Sequence, residues 1–491
     1  MLFSSIPFLY YFLPAVIFLY FIVPFKFKNF ILMLVSLFFY AWGEPIYVFL
    51  MIGVSLIGYI FGFLIDKYRE NKSLSKLFMF VSLVGSFSIL AIFKYTDFFI
   101  ESVNTIIHTI RFFDIYEFLY SKTIEIPLPI SNYIEPLKLA LPIGISFYTF
   151  QIASYTIDLY WGNIKLQKSF VKFMTYVSMF PQLIAGPIVR YSDIEKEIDD
   201  RKITREDISY GVRRFVLGLS KKILLANVLG EFVDIFKTST EKSVLFVWLY
   251  VIAYSLHIYF DFSGYSDMAI GLGKSFGFSF PENFNYPYIS KSVTEFWRRW
   301  HLTLSTWFRD YIYIPLGGNR VSKTKWYRNI FVVWAFTGLW HGASWNFVIW
   351  GLMFAIILVF EKVFFGKLLE KMPTILRRIY TLLIIFISWT VFDATSMSQI
   401  GENLGMMFGF KDVPLVTAQT LYYLKSYLIV FAIGIIGATP LPSMLVKKLS
   451  DKEKWHKFVN LAEAITLPIL LVVSTAYLVD GSFNPFLYFR F

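Results

Sequence analysis

Long stretches without Asp, Glu, Lys or Arg alternate with short charged stretches along this chain of 491 residues. Uncharged apolar windows cover residues 46–65, 77–93, 244–260 and 330–360, and the last is long enough for two helices. A helix needs about 20 apolar residues to cross the hydrocarbon core of a bilayer. Because backbone polar groups in lipid must pair within their own segment, we expect these windows to form membrane-spanning helices.

Further apolar windows continue the pattern on both sides of these. They cover residues 8–24, 31–42, 139–155, 379–392, 427–438 and 465–479. The whole pattern predicts an all-α polytopic membrane protein with roughly 10–12 transmembrane helices. The window 8–24 has no basic segment before it and no small-residue cleavage site after it, so we interpret it as a retained span.

Composition and charge agree with this interpretation. The chain is 57% hydrophobic and carries a net charge of +12. Lysine and arginine concentrate in short loops such as 67–76, so this loop is predicted to be cytoplasmic and the N-terminus to lie outside. The positive charge suits loops that face anionic lipid, and no basic stripe on a soluble domain indicates a nucleic-acid partner.

The chain is predicted to form one integral membrane domain over residues 1–491. Its longest polar stretch, 193–207, is too short to fold alone. Residues 101–138 are less hydrophobic and predict an external loop with a short amphipathic helix. No internal repeat is visible, which weighs against an inverted-repeat transporter. The lack of cysteine excludes disulfides, thiolate metal sites and a cysteine nucleophile.

Histidines inside apolar windows are the first candidates for chemistry, because ionisable groups in a membrane are costly and often functional. His108 and His456 lie in polar surroundings and are expected to be solvated. His257 lies in an apolar run before Asp261 and could line a cavity. The favoured interpretation is a buried imidazole that is hydrogen-bonded to a neighbouring helix.

His301 lies in the segment 295–310, which predicts a single amphipathic helix. On that helix Trp297, Trp300 and His301 share one face, and Arg298 lies on a neighbouring face. Such a helix would lie near the membrane interface, with its tryptophans at headgroup depth. The pattern leaves open whether His301 is catalytic or part of an amphipathic anchor.

His341 lies in the middle of the longest uncharged window, between Gly338 and Gly342. The two glycines allow a backbone or a ligand to approach closely. A buried imidazole is favoured in its neutral form, which is the form that a general base needs. The pattern leaves a catalytic role and a structural role equally open.

Two polar clusters also interrupt apolar surroundings. One runs from Asp261 to Asp267, and its carboxylates need partners, for which Arg298, Arg299 or Arg309 are candidates. The other, 180–190, contains Gln182, two prolines and a glycine, and predicts a kinked or re-entrant segment that lines a cavity. Neither cluster has the spacing of metal ligands, so no metal site is expected.

Several motifs follow one another in an order that is specific to one family. They occupy residues 142–151, 180–182, 185–187, 259–271, 281–285, 296–301 (Phe-Trp-Arg-Arg-Trp-His), 307–311 and 339–342 (Leu-Trp-His-Gly). Through them the chain resembles the membrane-bound O-acyltransferase (MBOAT) family, in the bacterial branch that includes alginate O-acetyltransferases. The resemblance is densest over 141–360 and extends to both ends of the chain.

The resemblance implies a ring of helices, with re-entrant and interfacial helices, around a central funnel. It implies that His341 is the catalytic histidine of the Trp-His-Gly motif and that His301 matches the family's second site residue. A further set is expected to line the cavity or contact substrate: Trp340, Asp261, Asp267, Arg298, Arg299, Gln182 and His257. His257 and Asp393 depart from the family's usual Gln and Arg, which leaves details of that lining open.

The implied reaction is the transfer of an acyl group from a thioester to a hydroxyl in the bacterial inner (plasma) membrane. The expected donor is acetyl-CoA as a cytoplasmic co-substrate, with no bound cofactor. The expected acceptor is an exported cell-surface polysaccharide, reached with a separate extracytoplasmic acetyltransferase of the SGNH type. Membrane lipids are the other expected partners, and nucleic acid is not.

Other functions remain open from the sequence. The nearest is D-alanyl transfer to teichoic acid from a small carrier protein, by a protein that shares the two histidine motifs. Residues 267–271, residues 315–318 and the long C-terminal third favour the acetyl branch. A polysaccharide or lipid transporter is an alternative from another class, and a non-catalytic scaffold is a third.

Overall fold

The computed structural model describes residues 3–112 and 134–480. Within these ranges every regular element is helical. The predicted all-α polytopic membrane fold is therefore confirmed, because the elements are helices and several are apolar over a membrane-spanning length.

The helices differ widely in length, from four residues to 41. In chain order they are α1 (a π-helical turn Phe8–Phe12 continued by Leu13–Ile22), α2 (Phe25–Gly43), α3 (Tyr47–Lys67), α4 (Lys72–Phe112), α5 (Ile145–Trp161), α6 (Phe170–Ser178), α7 (Phe180–Leu183), α8 (Tyr191–Asp199), α9 (Arg205–Ser220), α10 (Val228–Thr238), α11 (Val244–Ser275), α12 (Val293–Trp297), α13 (Leu302–Phe308), α14 (Lys323–His341), α15 (Trp345–Phe360), α16 (Gly366–Lys371), α17 (Thr374–Asp393), α18 (Met397–Met407), α19 (Ala418–Gly437), α20 (Leu441–Ser450) and α21 (Glu453–Asp480).

Eight helical segments of the described chain are long and apolar enough to cross a membrane. They are α2, α3, α4, α11, residues 345–371, α17, α19 and α21. The predicted spans 8–24 and 139–155 correspond to the shorter helices α1 and α5. Helix α5 begins at Ile145, after Pro142 and a left-handed Gly144. Helix α14 begins with several basic residues, which lower its mean hydropathy.

Helix α11 is the centre of the packing. It has 78% of its apolar window buried, against at most 39% in the other candidate spans. It begins where the Ser243 hydroxyl accepts a hydrogen bond from the Phe246 N–H at 3.2 Å. Helix α9 packs closely along it, because a Cβ atom at Gly271 would lie 2.5 Å from the Gly211 carbonyl oxygen. Small residues of this kind let helix backbones approach each other.

The segment 180–190 has the kinked course that its prolines and glycine predict. Helix α7 lasts for one turn, and the chain then continues in turn and extended conformation to Arg190. Residues 180–189 are all buried. The chain therefore passes through the interior in a non-helical form that protein surrounds, as the membrane environment requires.

The prediction for residues 101–138 is partly wrong. Helix α4 continues to Phe112, so residues 101–112 are helical and no loop begins at 101. Residues 113–133 lie outside the described part of the chain, and so does the predicted short amphipathic helix where it falls on them. The Asn104 side chain bonds the Ile134 N–H and carbonyl oxygen, which joins the return segment to α4.

We expect Gly271→Ala to destabilise the protein by about 1–3 kcal/mol, because its methyl group would overlap the backbone of α9. Gly53→Ala is the matched control, since a Cβ atom there meets nothing within 4 Å. Thermal unfolding of both variants in the same detergent measures the difference. Equal melting temperatures would contradict the close packing of α9 against α11.

Candidate active site

The segment 295–310 is not the single helix that the sequence predicts. Helix α12 ends at Trp297, and α13 begins at Leu302. Between them His301 adopts a left-handed conformation with φ +45°. This conformation costs a non-glycine residue about 1–3 kcal/mol and persists where the surroundings hold it in place. The break turns the His301 ring inward instead of along an interface.

Asn283 holds the backbone and the ring of His301 in this position. The Asn283 carbonyl oxygen accepts a hydrogen bond from the Leu302 N–H at 2.9 Å. The Asn283 side-chain Oδ1 lies 3.0 Å from His301 Nδ1, and Asn283 Nδ2 donates to Ser266 Oγ at 3.1 Å. Because Oδ1 is an acceptor, His301 Nδ1 carries the proton and Nε2 keeps its lone pair.

The lone pair of His301 Nε2 has no hydrogen-bond partner among the described residues, although the atom is buried. The ring packs edge-on against Phe262, with centroids 4.6 Å apart, and lies outside the candidate membrane spans. Burial lowers the pKa of His301 well below its ordinary value, and the nearby His341 lowers it further. The imidazole is therefore a neutral acceptor near pH 7.

His341 is the last residue of α14 and lies in an aromatic cage. The centroid of its ring is 5.0 Å from that of Trp350 and 5.3 Å from that of Phe392, with both pairs edge to face. The neighbouring glycines serve the helix packing, since a Cβ atom at Gly338 would lie 2.4 Å from the Phe347 carbonyl oxygen. The close approach expected at these glycines is therefore that of α15.

One cavity of about 220 Å³ contains both histidines, and we call it the His301 cavity. It is lined by Thr294, Trp297, Arg298, Trp300, His301, Leu304, Ser305, Phe308, Arg309, Tyr313, Val333, Trp334, Thr337, His341 and Leu358. The structure thus brings His301 and Arg298 together with His341, which lies 40 residues after His301 in the sequence. Neutral imidazoles and a guanidinium in one mostly apolar cavity can handle protons and an anionic ligand.

A second cavity of about 70 Å³, the Lys94 cavity, lies against His341. Lys94, residues 141–147, Ile184, Trp340 and His341 line it. Lys94 Nζ donates to the Trp340 carbonyl oxygen at 2.5 Å and lies 3.4 Å from Ser146 Oγ. His341 is the one described side chain that lines both cavities. Ligands in the two cavities would therefore meet at this ring.

Arg298 and Arg299 both lie in the break after α12 and have different surroundings. Arg298 lines the His301 cavity and forms no ion pair within the described chain. Arg299 instead bonds Glu295 at 2.9 Å and the Asn285 carbonyl oxygen at 3.1 Å. Of the two adjacent arginines, only Arg298 faces the cavity.

The predicted arginine partners of Asp261 and Asp267 are wrong. Asp261 pairs with Lys222, and Asp267 pairs with Lys221 at 2.6 Å and with Arg214 at 2.7 Å. The two lysines are adjacent in the π-helical stretch Lys221–Asn227, whose wider turn follows α9 and faces α11. Asp267 lines a separate cavity of about 830 Å³ together with Asn283. Neither Asp261 nor Asp267 lines the His301 cavity or the Lys94 cavity.

The remaining candidates have structural contacts. His257 Nδ1 lies 2.6 Å from the Ala226 carbonyl oxygen, as expected for a buried imidazole bonded to a neighbouring helix. Gln182 Nε2 donates to the Tyr176 carbonyl oxygen at 2.6 Å. Trp340 is buried beside His341 and lines the Lys94 cavity. Asp393 pairs with Lys237 at 2.7 Å.

Sequence reasoning missed Lys94, Asn283 and Ser146. Lys94 directly follows the uncharged window 77–93. From the sequence, a lysine at the end of a span is interpreted as a residue of the membrane interface. Asn283 and Ser146 lie inside motifs that carried the family resemblance, and their polar side chains in apolar surroundings were the available signal. Among the described residues, no group of three His, Asp or Glu side chains could hold a metal ion.

Comparison with known proteins shows which proteins the chain is similar to. The model of the membrane-bound O-acyltransferase family matches residues 164–396, which include both histidines. A probable alginate O-acetylase, AlgI, of Azotobacter vinelandii is 35% identical over the full length of both chains.

Two other relatives have different names and narrower coverage. A peptidoglycan O-acetyltransferase of Helicobacter pylori is 34% identical over 84% of this chain and 81% of its own. A teichoic acid D-alanyltransferase of Bacillus subtilis is 32% identical over 46% of this chain and 61% of its own. The similarity thus extends from a shared central region to the complete length.

We expect Lys222→Met to destabilise the protein by about 3–5 kcal/mol, because it leaves the buried Asp261 carboxylate without its ammonium partner. Thermal unfolding in detergent measures the effect. The double variant Lys222→Met with Asp261→Asn removes both charges and should recover much of the lost stability. If the double variant is as unstable as the single one, the ion pair is not the cause.

Proposed function

The chain belongs to the membrane-bound O-acyltransferase family, and we propose that it passes acetyl groups from a cytoplasmic thioester to a hydroxyl acceptor for O-acetylation of an exported cell-surface polysaccharide. As a member of this family it is an O-acyltransferase of the bacterial cell membrane. The observation that carries the proposal is the pair of buried histidines in one cavity, with His341 shared by a second cavity.

The reaction needs a base at the place where donor and acceptor meet. In our proposal His341 takes the proton of the acceptor hydroxyl while the hydroxyl oxygen attacks the thioester carbonyl carbon. The carbon–sulfur bond then breaks, and the leaving thiolate takes the proton back from His341. General-base assistance of this kind contributes roughly 10²–10⁴-fold to the rate.

His301 has a complementary role in this proposal. Since Asn283 accepts from Nδ1–H, Nε2 can only accept a hydrogen bond, so His301 orients a donor group of the substrate. A role in which His301 donates to the carbonyl oxygen would need the other tautomer. The chemistry thus assigns base catalysis to His341 and positioning to His301.

Helix geometry supports the proposed direction of transfer. Helices α4 and α14 both begin with lysines, at Lys72 and Lys323, which the positive-inside tendency places in the cytoplasm. His341 lies about 27 Å along α14 from its first residue, at 1.5 Å per residue. The His301 cavity extends back from it past Thr337 to Val333, toward the cytoplasmic end.

The charge at the His301 cavity supports the proposed donor. Arg298 lines this cavity and is exposed, and a guanidinium binds phosphate oxygens in bidentate fashion. Acetyl-CoA carries its acetyl thioester far from its phosphates. Arg298 at the cavity wall would contact the phosphates, while the histidines deeper inside would contact the thioester. We therefore propose acetyl-CoA as co-substrate, with its phosphates toward Arg298.

The acceptor approaches from the other side in this scheme. The Lys94 cavity is lined by residues 141–147, which precede and begin α5, and by Lys94, which lies about 33 Å along α4 from Lys72 at 1.5 Å per residue. The names of two relatives refer to alginate and peptidoglycan, which supports a polysaccharide as final acceptor. An extracytoplasmic acetyltransferase of the SGNH type is the proposed partner that completes delivery.

D-alanyl transfer to teichoic acid is the second candidate, supported by the Bacillus subtilis relative. That relative aligns with less than half of this chain, whereas the alginate relative aligns with all of it. The wider alignment favours acetyl transfer.

We expect His341→Ala to reduce the acetate that mild alkali releases from the cell envelope by at least about 10²-fold, because the base is lost. D-alanine release is measured in the same samples from cells with equal amounts of protein. His456→Gln is the control, since this histidine is exposed and far from both cavities in the sequence. Loss of D-alanine alone would assign the chain to teichoic-acid chemistry, and no change in either would contradict an acyltransferase role for His341.

We expect Asn283→Leu to reduce acetyl transfer by about 10–100-fold, because the ring and tautomer of His301 are no longer fixed. Ser266→Ala removes only the contact to Nδ2 and should have a much smaller effect. Acetate release and melting temperature are measured together. A loss of activity that matches a loss of folded protein would contradict the positioning role.

A further inference from the structure

Lys94 is an ionisable side chain, cationic when protonated, within the membrane-spanning helix α4. Its amine faces the Lys94 cavity and bonds the Trp340 carbonyl oxygen, one residue before His341. No described carboxylate lies within ion-pair distance of it, whereas Lys221, Lys222 and Arg214 each have one. An ionisable group kept in a membrane without a counter-ion is costly and marks a functional position.

Attachment of α4 to α14 does not explain the charge. The neighbouring Tyr95 already joins the two helices, because its hydroxyl donates to the Leu339 carbonyl oxygen at 2.8 Å. A neutral donor at position 94 could bond the Trp340 carbonyl oxygen in the same way. The positive charge therefore calls for a reason other than helix packing.

The proton transfer to His341 supplies that reason. When His341 takes a proton, two cations occupy adjacent positions in a site of low dielectric, and they repel each other. The same step creates one negative charge, on the carbonyl oxygen of the thioester. The arrangement is favourable only if this oxygen lies where Lys94 can reach it.

We propose that Lys94 is a further catalytic residue, which binds the oxyanion formed in acetyl transfer. The inference rests on the proposed function. The acceptor oxygen bonds to the carbonyl carbon, its proton goes to His341, and the carbonyl π-electron pair moves to the oxygen that Lys94 holds. When this pair returns, the carbon–sulfur bond breaks, and the thiolate takes the proton from His341.

Ser146 supplies a second donor to the same oxygen. Its Oγ lies 3.4 Å from Lys94 Nζ and lines the cavity, and as an acceptor from Lys94 the hydroxyl keeps its own proton for donation. The cavity of about 70 Å³ is small and meets the His301 cavity at His341, so only the carbonyl end of a donor held in the His301 cavity would reach it. Two donors and a small cavity form an oxyanion hole beside the base.

The test compares Lys94→Met with the wild-type protein in membranes supplied with radiolabelled acetyl-CoA. Methionine keeps the length of the side chain and removes its charge. We expect the maximal rate of label transfer to fall by about 10²–10³-fold, while the KM for acetyl-CoA changes by no more than about threefold. Lys94→Arg keeps the charge and should retain more activity than Lys94→Met.

Tyr95→Phe is the matched control for a purely structural role. It removes the neighbouring bond between α4 and α14 and should lower the melting temperature while leaving the maximal rate nearly unchanged. An equal fall in the rate for Lys94→Met and Tyr95→Phe would overturn the proposal in favour of helix packing. A fall confined to apparent affinity for acetyl-CoA would overturn it in favour of donor binding.

The same assay separates this inference from the function on which it rests. If His341→Ala is inactive and Lys94→Met retains the wild-type rate, the oxyanion role is wrong and the acyltransferase proposal stands. If His341→Ala is also fully active, the proposed function fails. A lower melting temperature of Lys94→Met that accounts for its lost rate would likewise overturn the catalytic role.

Discussion

Charges buried between these helices need partners from the protein, because lipid provides neither water nor counter-ions. Lys222 and Asp261 meet this constraint between the π-helical stretch Lys221–Asn227 and α11, and Lys221 and Asp267 meet it nearly two turns further along α11. Glycines bring α9 close enough to α11 for both pairs to form. These contacts fix both the rotation and the position of α11. Helix α11 in turn positions Asn283, because the Asn283 side chain donates a hydrogen bond to Ser266 on this helix.

The position of His301 depends on this central helix. Asn283 connects Ser266 of α11 to the His301 ring, and Phe262 of α11 packs against the same ring. His341 reaches the site from another direction, at the end of α14, where its place is set by the contact of Gly338 with α15. Two independent supports therefore bring two imidazoles to one cavity.

The sequence predicted the helical membrane fold because long uncharged windows leave little choice of structure in lipid. It also predicted both histidines as site residues, through their motifs and their apolar surroundings, and the structure places them in one cavity. It was wrong where local pattern competes with long-range contacts: helical periodicity over 295–310 could not show that Asn283 holds His301 in a left-handed conformation. Likewise, Asp261 and Asp267 pair with lysines of a π-helical turn some 40 residues away. Hydrophobic periodicity gives no information about such long-range ion pairs.

The shared position of His341 has a consequence for the two cavities. Its ring forms the wall between the His301 cavity and the Lys94 cavity, and no other described side chain lines both. An enzyme with a cavity on each side of such a ring must also keep the two cavities separate. A smaller side chain at this position would join them, so the size of the imidazole matters as well as its chemistry.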